Sequence, residues 1–376
     1  MNKPFKMTSS DKYPTFFNQE SLTLFNLFLR LNNDNDDDKK NCLFDVPSII
    51  RGLYALAIGV RSDKVRNVIK LYEELPQSTY ARSGVFLRSN LQFQSSYIDF
   101  MLNKNFYVAS IPVDYNGIKT INKHINEKFP NWPNKNKKFL ENPLTSNIRL
   151  YIKDESIFSA EWREYFDTIN MEKFYIGDNK NIMVPMMVKE HYFEYMYTFD
   201  DAVNNIKWVS MNYSENESML IIMPNEARTY KELVAFCNND LTANDISQFY
   251  EKNRKMLPYS TKKMPEFQFK SKWALSNDML LLDQEEIDYV STLFDPNLDM
   301  RNMCENLGPD VTCNTLLNSI SKIHNNQYGT HIETVTEIYQ DDCDNDEEHT
   351  LVIDKSFIFM ILDKNKKIGQ IGIYAG

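Results

Sequence analysis

Residues 41–59 read Asn41-Cys-Leu-Phe44-Asp45-Val-Pro47-Ser48-Ile-Ile-Arg-Gly-Leu53-Tyr-Ala-Leu56-Ala57-Ile-Gly59. Pro47 followed by Ser48 marks a helix start, because a proline in the first turn gives up an N–H that the helix does not use. Beyond it Leu53, Leu56, Ala57 and Val60 recur at helical spacing and line one face. Just upstream, residues 20–31 place Leu22, Phe25 and Leu29 on a second such face. The run from Asn32 to Lys40 between them, rich in Asn and Asp, reads as a solvated linker. Further helices are predicted at 63–75 and 116–129, with extended stretches at 105–113 and 147–158. Pro130, Pro133 and Pro143 bound a lysine-rich loop.

From residue 172 the pattern turns to strands, predicted at 172–176, 182–199, 206–213, 218–223 and 266–275. Helices are predicted at 283–292 and 310–320. The tail is a hairpin, Phe357 to Leu362 and Ile368 to Tyr374, around a turn at Asp363–Lys367. Helices come first and mixed strands after, with no βαβ rhythm and no repeat, which indicates an α+β domain.

Composition narrows the function classes. The chain has 376 residues, with 42% hydrophobic residues including 21 Tyr and 24 Phe, enough for a large core without disulfide staples. A net charge of −10 argues against general nucleic-acid binding, since there is no basic excess to displace counterions. The five cysteines, Cys42, Cys237, Cys304, Cys313 and Cys343, are scattered and fit a reducing compartment. The first ten residues lack the apolar stretch of a signal peptide, and no segment reaches the length of a membrane span. An intracellular protein with no membrane partner is the expectation.

Motifs for catalysis are missing. There is no GxGxxG, no GxxxxGK[ST], no HExxH and no GxSxG. His124, His191, His324, His331 and His349 lie far apart and share no metal-ligand spacing with the cysteines. The acidic run Asp341 to Glu348 lacks the glycine and ligand spacing of a calcium loop. The chain is expected to be no enzyme, with no cofactor and no metal.

Seven ordered segments together resemble the serpin superfamily, the serine protease inhibitor fold. They are Asn41 to Gly59; Ile121-Asn122-Lys-His-Ile125; and Trp162, Phe166, Thr168 and Phe174 with Val184-Pro-Met-Met187. After these come Glu217 to Pro224, Met264-Pro-Glu-Phe267, Ser321-Lys-Ile-His324 and Asp354-Lys-Ser-Phe357-Ile-Phe. The resemblance runs from residue 20 to the C-terminus, with residues 1–19 as an N-terminal extension and 20–376 as one serpin-like domain. It implies three β-sheets with eight or nine helices, and an exposed reactive loop ahead of Phe357, here a shortened acidic region over 332–350. In inhibitory members a protease cuts that loop, which then inserts into the central sheet and carries the acylated protease with it.

The loop's chemistry argues against that mechanism here. Inhibitory hinges are small, Gly-Thr followed by several Ala, whereas the stretch Glu333 to His349 holds no Gly and no Ala. Glu337, Asp341, Asp342, Cys343, Asp344, Asn345, Asp346, Glu347 and Glu348 crowd it, and acids fall on both alternate sets. Burying several such groups costs on the order of 10 kcal/mol, comparable to a domain's stability. Counted from His324 to Phe357 the loop is also short. The sheet-opening region of inhibitors uses two serines and an asparagine. Here Ser48 is kept, Asp45 replaces a serine, and Asp154 falls at the asparagine, with His324 from the Ser-Lys-x-His match placed nearby.

The expectation is therefore a non-inhibitory serpin-fold protein in a binding, scaffold or assembly role, with a protein partner or a second copy of itself. The Asn-, Lys- and Ile-rich usage suits an AT-rich genome, where a viral structural use is one form of that role. The alternative is a suicide inhibitor cut near Asn345, with Asp344 or Asp346 facing an Asp-specific protease.

Overall fold

The segment that opens on Asn41 folds as its sequence requires. Strand β1 (Asn41–Asp45) leads directly into α2 (Val46–Gly59), whose N-cap is Asp45 with Pro47 in the first turn. The Asp45 carboxylate accepts the Ser48 N–H at 2.8 Å, satisfying one of the orphan donors of the helix start. Every residue of α2 except Ile58 is buried, so this is a central helix rather than a surface one. The helix before it, α1 (Thr15–Leu31), packs Phe25 and Phe28 against Phe44 and Trp273 with ring centroids 5.0–6.1 Å apart. It starts at Thr15 with Phe17 fully buried, so the domain takes in residues assigned above to an extension ending at 19.

The computed structural model describes residues 14–376 apart from 33–40, 77–79, 113, 144–147, 178–179, 190–195, 203, 254, 257–261, 281–286, 309–314 and 339–352. The described residues form nine α-helices and three sheets. A seven-stranded sheet runs β1, β16 (Ile368–Tyr374), β15 (Phe357–Leu362), β9 (Ser218–Pro224), β8 (Ile206–Asn212), β7 (Met196–Asp201), β10 (Lys255–Met256). A three-stranded sheet runs β11 (Lys262–Pro265), β6 (Asn181–Lys189), β5 (Thr168–Tyr175). The central six-stranded sheet runs β12 (Phe267–Ser276), β13 (Leu316–Asn326), β14 (Gly329–Ile338), β4 (Leu150–Glu161), β2 (Tyr80–Leu87), β3 (Phe106–Ser110). Its pairs are antiparallel except β2 with β3. On one side of this sheet lies α2. On the other, α5 (Tyr115–Lys128) and the loop after it contribute Ile118, Ile121, Ile125, Trp132 and Phe139 to a separate apolar cluster with Phe86 and Tyr151.

The hairpin of β15 and β16 is buried at every position, as expected of a continuous apolar run inside a sheet. The helix predicted at 310–320 is overturned where it can be seen, because β13 begins at Leu316. Its buried positions alternate, Leu317, Ser319, Ser321, Ile323 and Asn325, with period two. Sequence reasoning also passed over β2, β14, α4 (Ser95–Asn103), α6 (Tyr230–Asn239) and α7 (Ala243–Gln248). The last two start on Thr229 and Thr242, each closing a capping box with the acid three residues on.

Candidate functional site

The strand that bears on the expected reactive loop is β14. It lies between β13 and β4 over its whole length, from Gly329 opposite Glu161 to Ile338 opposite Ile152. The expectation that the acidic loop cannot enter the sheet rested on Asp341 to Glu348, outside the described residues; residues 329–338 ahead of them do stand in the sheet, and parity allows it. Thr330, Ile332 and Thr334 point inward and are buried, while His331, Glu333 and Val335 point outward. The backbone of residue 337 sits opposite Lys153 and Asn318 in the ladders. Among the described side chains of the strand, the one acid, Glu333, does not have to enter the core.

The inward polar groups are satisfied. The Thr330 hydroxyl donates to Asn325 Oδ1 at 2.7 Å and accepts from the Tyr213 hydroxyl at 2.8 Å. The Asn325 amide donates on to the Pro265 carbonyl at 3.1 Å, and Thr334 Oγ1 lies 3.1 Å from Ser321 Oγ. A buried hydroxyl left without such partners would cost ~1–3 kcal/mol. The turn before β14 is held as firmly. Carbonyls of Asn326, Gln327 and Tyr328 accept from Trp162 Nε1, Phe166 N and Trp162 N at 2.8–3.1 Å, and Trp162 stacks on Tyr213 at 4.4 Å. Gly329 is obligatory here, since a Cβ would overlap the Ala160 carbonyl oxygen and come within 2.8 Å of Glu161 Cα.

A Gly-Thr pair of the kind the family resemblance implies for the hinge stands at Gly329-Thr330, ahead of the stretch from Glu333 onward in which it was sought. Ser321 to His324 lies in mid-strand rather than at a strand start, so the length counted from His324 includes the end of β13, the turn and β14. Asp341, Asp342, Cys343, Asp344, Asn345, Asp346, Glu347 and Glu348 lie outside the described residues.

Beneath the sheet, Asp45, Ser48 and Asp154 come together as a buried polar cluster, and His324 does not join them. His324 is half-exposed on β13, with Nε2 3.8 Å from Glu266. The centre of the cluster is Arg51, which sequence reasoning missed. Its Nε and Nη2 grip both oxygens of Asp154 at 2.8 and 2.9 Å. Ser48 Oγ and Ser83 Oγ donate to the same carboxylate at 2.8 and 2.5 Å. Asp45 accepts in addition from Ser156 Oγ at 3.0 Å and Gln370 Nε2 at 3.3 Å. Burial raises the Asp45 carboxyl above its ordinary range, opposed by Arg51 and these donors. For Arg51 burial works against the charge, but Asp154 more than compensates and its pKa is raised.

The adjacent residue of β4 builds a second cluster on the opposite face. Arg82, fully buried, pairs with Glu155 at 2.6 Å and donates to the Lys137 carbonyl at 3.0 Å, with Trp132 and Phe139 over its guanidinium at 4.5 and 5.4 Å. Lys137 reaches back to Glu333 of β14 at 3.3 Å. The available signals were Arg51 within an apolar helix and four successive polar residues, Lys153-Asp154-Glu155-Ser156, inside a predicted strand. All four are buried.

Comparisons with known proteins agree with this architecture. The family model for serpins, serine protease inhibitors, matches residues 62–374. Serpin A3-6 of Bos taurus is 22% identical over 277 residues, covering 65% of this chain and 63% of its own length. The chain thus spans less than two thirds of that relative, and about 31% of bovine Serpin A3-3. Human thyroxine-binding globulin is 20% identical over 393 residues, 96% of this chain and 89% of that protein. Among solved structures, a loop-inserted cleaved ovalbumin mutant superposes with a TM-score of 0.73 at 12% identity, covering 96% of this chain and all of that one. The thermophilic serpin tengpin in its latent state gives 0.67 at 16% identity, covering 98% of each chain. With the family model matched over most of its length and three sheets in the serpin arrangement, this chain belongs to the serpin family.

Proposed function

We propose that this protein is a non-inhibitory serpin that works by binding a protein partner, as a binding, scaffold or assembly component. One observation carries the reading. In the uncut chain residues 329–338 already form the central strand. The inhibitory mechanism that the family resemblance implies draws on a strand still waiting to enter, and a six-stranded sheet has no such strand left to gain. Chain length allows this without cleavage. Ile338 ends β14 far from the sheet end where Ile353 N–H bonds the Lys263 carbonyl. Returning along a ten-residue strand needs about 30 Å, and the fifteen steps from Ile338 to Ile353 can reach about 50 Å.

A binding role for a serpin has a parallel in thyroxine-binding globulin, whose name states one. For the present chain a basic protein surface is the complement to the acids of 341–348, and a viral structural component is one setting for such a role. Catalysis is not part of the reading. The test is incubation with a panel of serine proteases and Asp-specific cysteine proteases, followed by denaturing electrophoresis. Cutting without a covalent complex is the expected result. An SDS-stable protease complex would overturn it.

The second reading, a suicide inhibitor cut near Asn345, is favoured by the good fit of Thr330, Ile332 and Thr334 to the sheet interior. It requires that this strand enter only after cleavage. The same panel decides, through a complex with a protease that accepts Asp344 or Asp346.

A further inference from the structure

The outward face of the central sheet, on its β12–β13 side, gathers positive charge in a chain of net charge −10. Residues of β12 alternate, with Phe267, Phe269, Ser271 and Trp273 buried and Lys270 and Lys272 exposed between them. Lys270 stands directly opposite Lys322 of β13, which is exposed as well. Directly opposed side chains on one face lie only about 5 Å apart at their Cβ atoms, and like charges so placed destabilise a strand pair. The acid in the same row, Glu333 of β14 opposite Lys322, is already engaged. One of its oxygens lies 3.3 Å from Lys137 and the other 3.7 Å from His331. Among the described residues, none of Lys270, Lys272 and Lys322 forms an ion pair.

Lysines on an edge strand guard it against pairing with other chains, which accounts for Lys270 and Lys272, since β12 ends the six-stranded order. That reason does not extend to Lys322, because β13 is an interior strand, paired on both sides. Holding a third cation against an edge lysine costs the sheet stability, and carboxylates of a partner are what would offset the cost. The strand sets their spacing. Lys270 and Lys272 project about 7 Å apart, the repeat at which any extended chain presents every second side chain. Beside them the row of Lys272 continues into Ile320 and Val335, both half-buried, so apolar surface adjoins the charges.

We propose that Lys270, Lys272 and Lys322 form a docking face for an extended acidic segment of a partner protein, one with carboxylates at alternate positions. This extends the binding role proposed above to a second surface, opposite in sign to the acids of 341–348. The two are separable, because a covalent protease complex neither needs these lysines nor removes them.

Fluorescence anisotropy of a labelled octapeptide of alternating Asp and Thr, titrated with the intact full-length protein, tests it. Binding is expected at about 20 mM salt and should weaken by about tenfold or more at about 200 mM, as exposed charges are screened. The variant Lys270→Glu/Lys322→Glu changes only exposed side chains and is expected to lose about tenfold or more in affinity at low salt. A peptide of alternating Asn and Thr should not bind. Lys270→Glu alone turns the opposed like charges into an ion pair and is expected to melt above the wild type, a gain that fades in high salt. No binding by the wild type at low salt, or equal binding by the double variant, would overturn the proposal. Capture of a sulfated polysaccharide instead of the peptide, lost in the same variant, would also overturn it, by assigning the lysines to a different class of partner.

Discussion

Two hairpins of this molecule are built to the same plan and speak very differently in sequence. The β15–β16 hairpin is apolar throughout, and all thirteen of its strand positions are buried. In the β13–β14 hairpin every second residue faces outward, and its inward set includes Ser319, Ser321, Asn325, Thr330 and Thr334. Burial of carbon drives the first into place. The second depends on paired polar groups, each of which must find its partner across the strands. An apolar strand is committed to the core from the start, whereas a strand of Thr, Ile and outward acids is tolerable both in water and in a sheet. That dual tolerance is what a serpin loop needs.

The comparison can be broken most forcefully at Thr330. In Thr330→Arg a guanidinium would replace a hydroxyl that is 2% exposed, and an unpaired buried ion costs several kcal/mol. Strand β14 is expected to leave the sheet and become sensitive to trypsin, while β15 and β16 stay protected. Phe359→Ala, in the apolar hairpin, is expected to cost 3–5 kcal/mol by the usual cavity penalty, read as a fall in urea midpoint. Its effect should be global, with β14 no more accessible than before until the whole domain unfolds.

A smaller effect concerns the buried Asp45 carboxyl. Burial raises the Asp45 pKa, so its contribution to stability is full below the unfolded value and is lost as pH rises through the folded one. Asp45→Asn keeps a good helix cap and removes that loss. The variant is expected to melt at or above the wild-type temperature at pH 7, with the difference shrinking toward pH 4. A variant less stable than wild type at pH 7 and equal at pH 4 would contradict this assignment. The smallest change is expected from Glu333→Gln, which removes a half-exposed pair with Lys137 and should cost under ~1 kcal/mol, vanishing in high salt.

The legible parts of the fold were those written in carbon. Leu53, Leu56 and Ala57 on α2, the Phe357–Leu362 strand and the order of the serpin-like segments could be read directly, because apolar periodicity reports burial. The hinge was harder. Leu316 to Ile338 alternates Ser, Asn and Thr with Ile, which matches neither an apolar strand nor an amphipathic helix, and its turn at Asn326–Gly329 is the clearest punctuation. The acids weighed by parity were those of Asp341 to Glu348, which lie outside the described residues, whereas Glu333, the acid nearest the hinge, is only partly buried. In the site, Asp45, Ser48 and Asp154 were found through the family pattern. Arg51 was not, because that pattern contains no charge to be neutralised at this place.

Thermal unfolding before and after a single cut within residues 339–352 tests most directly whether the central sheet is complete in the intact protein. A resident strand gains nothing from the cut, so the two melting temperatures should agree within a few degrees. A large rise on cutting would mean that the strand enters only afterwards, and would contradict the account.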